Sequence, residues 1–217
     1  MPVYYFKAPR PDSSAATPTA GTETGAPRVA LTPESPSVIL PERKGLLRVN
    51  LDWESPANSP IDLDLCCLWE LSDGSKGCVQ APGRRFRVPR HGPAPVILLD
   101  RDDRTGRADG GETLHIDLAQ VDRIRRILVF AHLYSGAPNW AAARAVVTLM
   151  RDDAPTVEIK LDETASRASV CAIALLENAG DDLAVHREIN YFWGRHGGHQ
   201  AMDAAYSWGL SFAPGGK

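Results

Sequence analysis

The eleven residues from Ile61 to Leu71 constrain the fold more than any other stretch. Ile61, Leu63, Leu65, Cys67, Trp69 and Leu71 alternate with Asp62, Asp64, Cys66, Leu68 and Glu70. A period of two puts these sets on opposite faces of an extended strand. The first set is wholly apolar and requires a core to face. The second mixes carboxylates with Cys66 and Leu68, so that face is partly covered as well. Asp62 and Asp64 project to one side, roughly 7 Å apart at the strand rise of about 3.3 Å per residue. Carboxylates on a covered face are costly unless another charge or a set of hydrogen bonds compensates them.

The same reading extends along the chain. Leu47–Trp53 alternates, and Ser72–Gly77 is a hairpin turn returning through Cys78–Gln80. Further strands are expected at 96–99, 113–117, 126–134, 145–150, 156–161, 169–177, 183–191 and 207–212. A single helical turn is expected at 118–122, and short helices at 139–143 and 198–206. Many short strands separated by turn signals predict an all-β fold, a β-sandwich with minor helices. Residues 1–44 are expected to be a flexible Ala/Pro/Ser/Thr-rich tail, because 23 of the 30 residues from Ala8 to Ser37 are Ala, Pro, Ser, Thr or Gly. Within it Val3–Phe6 is the one sticky segment, a docking peptide or a frayed terminus. The folded domain is expected over 45–217.

Composition narrows the function. The net charge is −3 with no large basic block, which argues against nucleic acid as a partner. The basic, proline-rich segment 81–95 reads as solvated surface, with attraction for phosphate or an acidic partner as the alternative. Apolar runs such as Ile127–Leu133 are too short to span a bilayer. Met1–Lys7 lacks the layout of a secretory signal, so a cytoplasmic location is the expectation. Cys66, Cys67, Cys78 and Cys171 form no C-x-x-C pair and are expected as buried, reduced thiols.

The chemistry concentrates in Asp100–Glu112, where Asp100, Asp102, Asp103, Asp109 and Glu112 put five carboxylates in thirteen residues with three glycines. Carboxylates so dense repel one another unless a cation, backbone N–H groups or water takes up the charge. Calcium takes six to eight oxygens, mainly from carboxylates and loop carbonyls. A solvated acidic turn, offset by Arg101, Arg104 and Arg107, is the alternative. The spacing excludes an EF-hand: counted from Asp100, the fifth, sixth and twelfth positions are Arg104, Thr105 and Gly111. Nucleophile-elbow, Walker A, H-E-x-x-H and dinucleotide motifs are absent. Paired carboxylates for glycoside hydrolysis are a poorer match, because this loop holds its carboxylates ionised. His196-Gly197-Gly198-His199, with His186 upstream, is a weak transition-metal motif.

Asp62-Leu63-Asp64-Leu65, Asp102-Asp103-Arg104-Thr105-Gly106 and Asp109-Gly110-Gly111-Glu112 resemble the TerD family of bacterial tellurium-resistance and stress-response proteins. The second half resembles its TerA branch, through Arg126–Ala131, Asn139-Trp140, Cys171–Ala174, Tyr191-Phe192 and Tyr206–Leu210. The resemblance implies a β-sandwich binding Ca2+ between the aspartate-bearing strand and the D-x-R-T-G loop. Its implied ligands are Asp62, Asp64, Asp102, Asp103, Asp109 and Glu112. It further implies no enzymatic activity, with other Ter-type stress proteins as partners, one of them membrane-embedded, on the cytoplasmic side. Two departures, Asp103 in place of asparagine and a shortened acidic run at Gly111, favour one calcium site over two. A thiol-based redox or oxyanion-handling protein and a lectin-like calcium-dependent binder are the competing readings.

Overall fold

The computed structural model describes residues 28–40, 45–137, 139–152, 155–162, 164, 168–180, 182–193 and 198–212. Thirteen strands and one α-helix lie in that span. The first five strands are β1 (Arg28–Ala30), β2 (Ser37–Leu40), β3 (Leu46–Asp52), β4 (Asp62–Leu71) and β5 (Lys76–Val79). Next come β6 (Arg87–Val88), β7 (Ile97–Leu99), β8 (Glu112–Asp117) and β9 (Ile124–Ser135). The last four are β10 (Ala145–Met150), β11 (Thr156–Leu161), β12 (Val170–Ala179) and β13 (Asp182–Phe192), with helix α1 (His199–Ala205) after them. The 3-10 segment Leu118–Arg123 lies where a helical turn was expected, and the short helix expected at 139–143 is a single 3-10 turn, Ala141–Ala143.

The strands form two sheets. One runs β1-β11-β10-β3-β8-β7-β6 and the other β2-β13-β12-β9-β4-β5. Apart from the parallel β1–β11 pair, the named strand pairs are antiparallel. Alternation decides which side chains meet between the sheets. From β4 and the residue before it come Ile61, Leu63, Leu65, Cys67 and Leu71; from β3 and β8 come Leu47, Val49, Leu51, Leu114 and Ile116, all in one core cluster. This is the β-sandwich expected from the sequence.

The opposite face of β4 is covered too. Cys66 and Leu68 join Leu128, Phe130, Met202, Tyr206 and Trp208 in a second apolar cluster beneath α1 and the residues after it. This cover is fastened through Arg126. Its Nε donates to Glu70 at 2.6 Å, and its terminal nitrogens donate to the carbonyls of Tyr206 (3.0 Å) and Ser207 (3.2 Å). The guanidinium also lies 3.9 Å from the Trp208 ring centroid. A stacked cation that satisfies two carbonyls and a buried carboxylate is a strong fastening.

Two expectations are corrected. The segment from Arg28 to Leu40 was expected within a flexible tail, yet it supplies β1 and β2. Leu31 and Leu40 are buried there, and that burial offsets the ordering cost that composition alone made prohibitive. Val3–Phe6 and the rest of 1–27 lie outside the described residues. Ser207–Phe212 was expected as a strand and is not one. Trp208 N–H donates to the Asp203 carbonyl, and the Gly209 and Leu210 N–H groups donate to the Asp203 carboxylate. Asp203 thus takes the amides that a ladder would have used.

Candidate metal centre

Strand β5 pairs with β4 only from Cys67 to Glu70. On the side away from β9 the first half of β4 is therefore a sheet edge among the described strands, and the loop from Asp100 to Gly111 docks there. Glu112, the first residue of β8, shares the inward face with Leu114 and Ile116 and is fully buried. Its Oε2 accepts the Leu65 N–H at 2.6 Å and its Oε1 accepts the Asp103 N–H at 2.9 Å. One carboxylate thus ties the loop to the β4 edge.

Within the loop, Asp103 makes the turn. Its Oδ1 accepts the Thr105 N–H and hydroxyl, both at 2.9 Å, and its Oδ2 accepts the Ala108 N–H at 3.0 Å. Burial pushes the Asp103 pKa upward, but the donated N–H groups outweigh it and hold the pKa below the ordinary carboxylate value. Two glycines let the loop approach so closely. Gly106 (φ +60°) and Gly111 (φ +58°) are left-handed, and a Cβ at Gly106 would collide with the Trp53 indole, one at Gly111 with the Leu51 carbonyl.

With the loop held in this way, Asp102 meets Asp62 and Asp64. One carboxylate oxygen from each lies within 4.8 Å of the others, the only such His/Cys/Asp/Glu group among the described residues. Asp62 and Asp64 are 7% and 0% exposed. Three carboxylates at this separation repel strongly where water is scarce, so the site favours a positive charge at its centre. A guanidinium and an imidazole already flank it. Arg104 donates through Nε (3.1 Å) and Nη2 (3.0 Å) to Asp102 Oδ2, and the Asp102, Asp62 and Asp64 carboxylates raise its pKa further. His132 faces Asp64 across the β4–β9 ladder, with Nδ1 3.6 Å from Oδ2.

The structure thus separates the six residues singled out from the sequence. Asp62, Asp64 and Asp102 come together. Asp103 and Glu112 spend their oxygens on backbone N–H groups, and Asp109 is exposed, its carbonyl accepting from Arg101. Asp100 is structural, accepting the Thr113 N–H at 2.8 Å and pairing with Arg101. Sequence reasoning missed His132 and the role of Arg104. Only cross-strand register could have placed the former, whereas the i, i+2 spacing to Asp102 was a signal for the latter. In the histidine motif His196 lies outside the described residues, and His199 packs between Phe130, His132 and Phe212. All four cysteines are free and buried.

No protein-family model matches the chain. The tellurium resistance protein TerA of Alcaligenes sp. is 36% identical over 204 residues, which is 88% of this chain and 58% of that protein. The chain therefore spans less than two thirds of the length of this relative. Among solved structures, a homologue of the telluride resistance protein TerD from Streptomyces coelicolor superposes with a TM-score of 0.52 at 20% identity, covering 69% of this chain and 90% of that one. A second, of a protein of unknown function, gives 0.51 at 17%, covering 70% and 91%. The chain thus resembles the tellurium resistance protein TerA in sequence along most of its length, and it shares its sandwich fold with a TerD homologue.

Proposed function

We propose that this chain is a calcium-binding interaction module, in which Ca2+ neutralises the acidic loop and orders a surface for a partner. The convergence of Asp62, Asp64 and Asp102 carries the reading. An all-oxygen donor set suits a hard cation such as calcium and is a poor match for zinc, which favours Cys and His. Loop carbonyls and water would complete the coordination. Asp103 and Glu112 act one step back, holding the loop so that Asp102 reaches β4, and one site is proposed. On this reading the chain is not an enzyme: the ion does structural work, pinning a loop that self-repulsion otherwise loosens. The proposed partners are other Ter-type stress proteins, one of them membrane-embedded, on the cytoplasmic side. No helix among the described residues is long and apolar enough to cross a membrane. The thiol-based alternative has less support, since burial pushes the Cys66, Cys67 and Cys171 thiols well up and Cys78 up to about 12.

Calorimetry with CaCl2 tests the proposal. Wild type should bind, and Asp64→Asn and Asp102→Asn should abolish or greatly weaken the heat. At a hundredfold excess over Kd, calcium should add about 2.7 kcal/mol of stability. That is a rise in Tm of roughly 5–10 °C for a domain of this size. A wild-type titration with neither heat nor a Tm shift refutes it.

A further inference from the structure

From Gly74 to Leu99 the chain carries Lys76, Arg84, Arg85, Arg87, Arg90 and His91 and not one Asp or Glu, although the net charge is −3. Lys76 is used internally, facing Glu70 at 3.7 Å and donating to the Trp208 carbonyl at 3.1 Å. The four arginines are different. Most arginines elsewhere meet acids: Arg28 with Glu158, Arg101 with Asp100, Arg104 with Asp102, Arg125 and Arg126 with Glu70, Arg144 with Glu54, whereas Arg107 and Arg123 donate singly to the Ala57 carbonyl and the Gln120 side chain. Among the described residues, none of Arg84, Arg85, Arg87 and Arg90 has an acidic partner in any of the ion pairs found.

Local structure holds Arg84, Arg85 and Arg90 outward, with Arg87 partly covered beside them. Gln80 and Arg85 exchange two backbone hydrogen bonds (3.0 and 3.2 Å) that close a tight turn, and Arg84 sits in that turn at φ 54°. After it, Val88 is buried and Phe86 packs against the main core, so Arg85 and Arg87 share the outward side. Arg84, Arg85 and Arg90 are exposed, while Arg87 is half-buried and donates to the Gly92 carbonyl. Arg87 stands opposite Leu98, Leu98 opposite His115 and His115 opposite Arg48. The cluster therefore edges an open sheet face rather than lining a cleft.

We infer that this arginine edge binds clustered phosphate groups, as presented by anionic lipid head groups at a bilayer surface. Guanidinium forks match phosphate oxygens two at a time, and a planar array of them needs no pocket. A protein partner would need an apolar centre to its interface. Three of the four exposed large apolar side chains among the described residues, Ile39, Tyr134 and Trp193, belong to the other sheet or follow its last strand. This contact is direct and independent of the acidic triad.

Sedimentation of the full chain with phosphatidylcholine vesicles, with and without phosphatidylglycerol, tests it in EDTA. Binding should appear only with the anionic lipid and weaken as salt rises. Each basic residue near such a surface strengthens binding about fivefold, so Arg84→Gln/Arg85→Gln/Arg87→Gln/Arg90→Gln should weaken it about a hundredfold or more. The exposed pair Arg84→Gln/Arg85→Gln gives a milder loss and covers the chance that the fourfold variant misfolds. Arg28→Gln/Arg144→Gln removes the same charge as that pair elsewhere and should change little. Titration with inorganic phosphate identifies the source: saturable binding without vesicle binding supports the phosphate chemistry with a soluble ligand. No binding to either, equal loss in the control pair, or binding to polyglutamate alone overturns the inference.

Discussion

Glu112 offers the sharpest test of how the loop is held. Its two oxygens accept from Leu65 and Asp103 N–H groups in a fully buried setting. Glu112→Ala removes both acceptors and strands two buried donors. Each stranded donor costs about 1–3 kcal/mol, with the upper end expected where the lost acceptor was charged. The sum is about 3–5 kcal/mol, or roughly 10 °C in Tm at about 2–4 °C per kcal/mol. Glu112→Gln keeps one acceptor and turns a donor against the other N–H, which should cost about 1–3 kcal/mol. The assay is urea unfolding in EDTA, because the reasoning assigns Glu112 to the fold and not to an ion. A pure metal ligand would show its loss only with calcium present. Refutation would be a metal-free Glu112→Ala within about 1 kcal/mol of wild type, below the cost of even one stranded pair.

Three further outcomes follow from the same geometry. Arg104 competes for the proposed cation position, so Arg104→Gln should tighten calcium binding by about three- to tenfold in calorimetry, a modest effect for an exposed pair; unchanged or weaker binding would contradict this. For Glu70, burial raises the pKa but Arg126, Lys76 and Arg125 outweigh it, leaving it below the model-compound value of 4.5. A lowered pKa means fewer protons bound folded than unfolded, so this stabilisation is complete above about pH 4.5 and is lost as pH falls further. Asp103 adds to it in the same direction. Urea midpoints should drop between about pH 4.5 and 3, and Glu70→Gln should flatten that drop while lowering stability at neutral pH. Iodoacetamide should leave all four thiols unmodified in the native protein and label them in urea; labelling of the native protein would revive the thiol reading.

Much of the fold was legible because β4 carries an apolar set on one face and carboxylates among the residues of the other, which leaves a clear period of two. Asp62 and Asp64 were legible for the same reason. Ser207–Phe212 misled because Trp208, Leu210 and Phe212 alternate like a strand, while Asp203, five residues upstream of Trp208, diverts the amides. The β1–β2 segment was hidden by averaging, since a few apolar residues within a Pro/Ser/Thr background do the anchoring. Within the loop, sequence treated the carboxylates as near equals. Their division depends on which backbone N–H groups lie nearby, and that is a property of the folded turn. For Glu112 a signal was present in its alternation with Leu114 and Ile116, but the strand was expected to begin only at Thr113, so its inward face was missed.

The short β5 has a consequence for how this protein survives at high concentration. An uncovered half-strand in the middle of an apolar sandwich is a template on which another chain can pair. Here no strand seals it; side chains do. Glu112 takes the Leu65 N–H, Ser55 takes the Ile61 N–H, and the Trp53 indole N–H donates to the Ile61 carbonyl. Whatever loosens the acidic loop also uncovers an adhesive edge, so order in that loop and resistance to aggregation are one property.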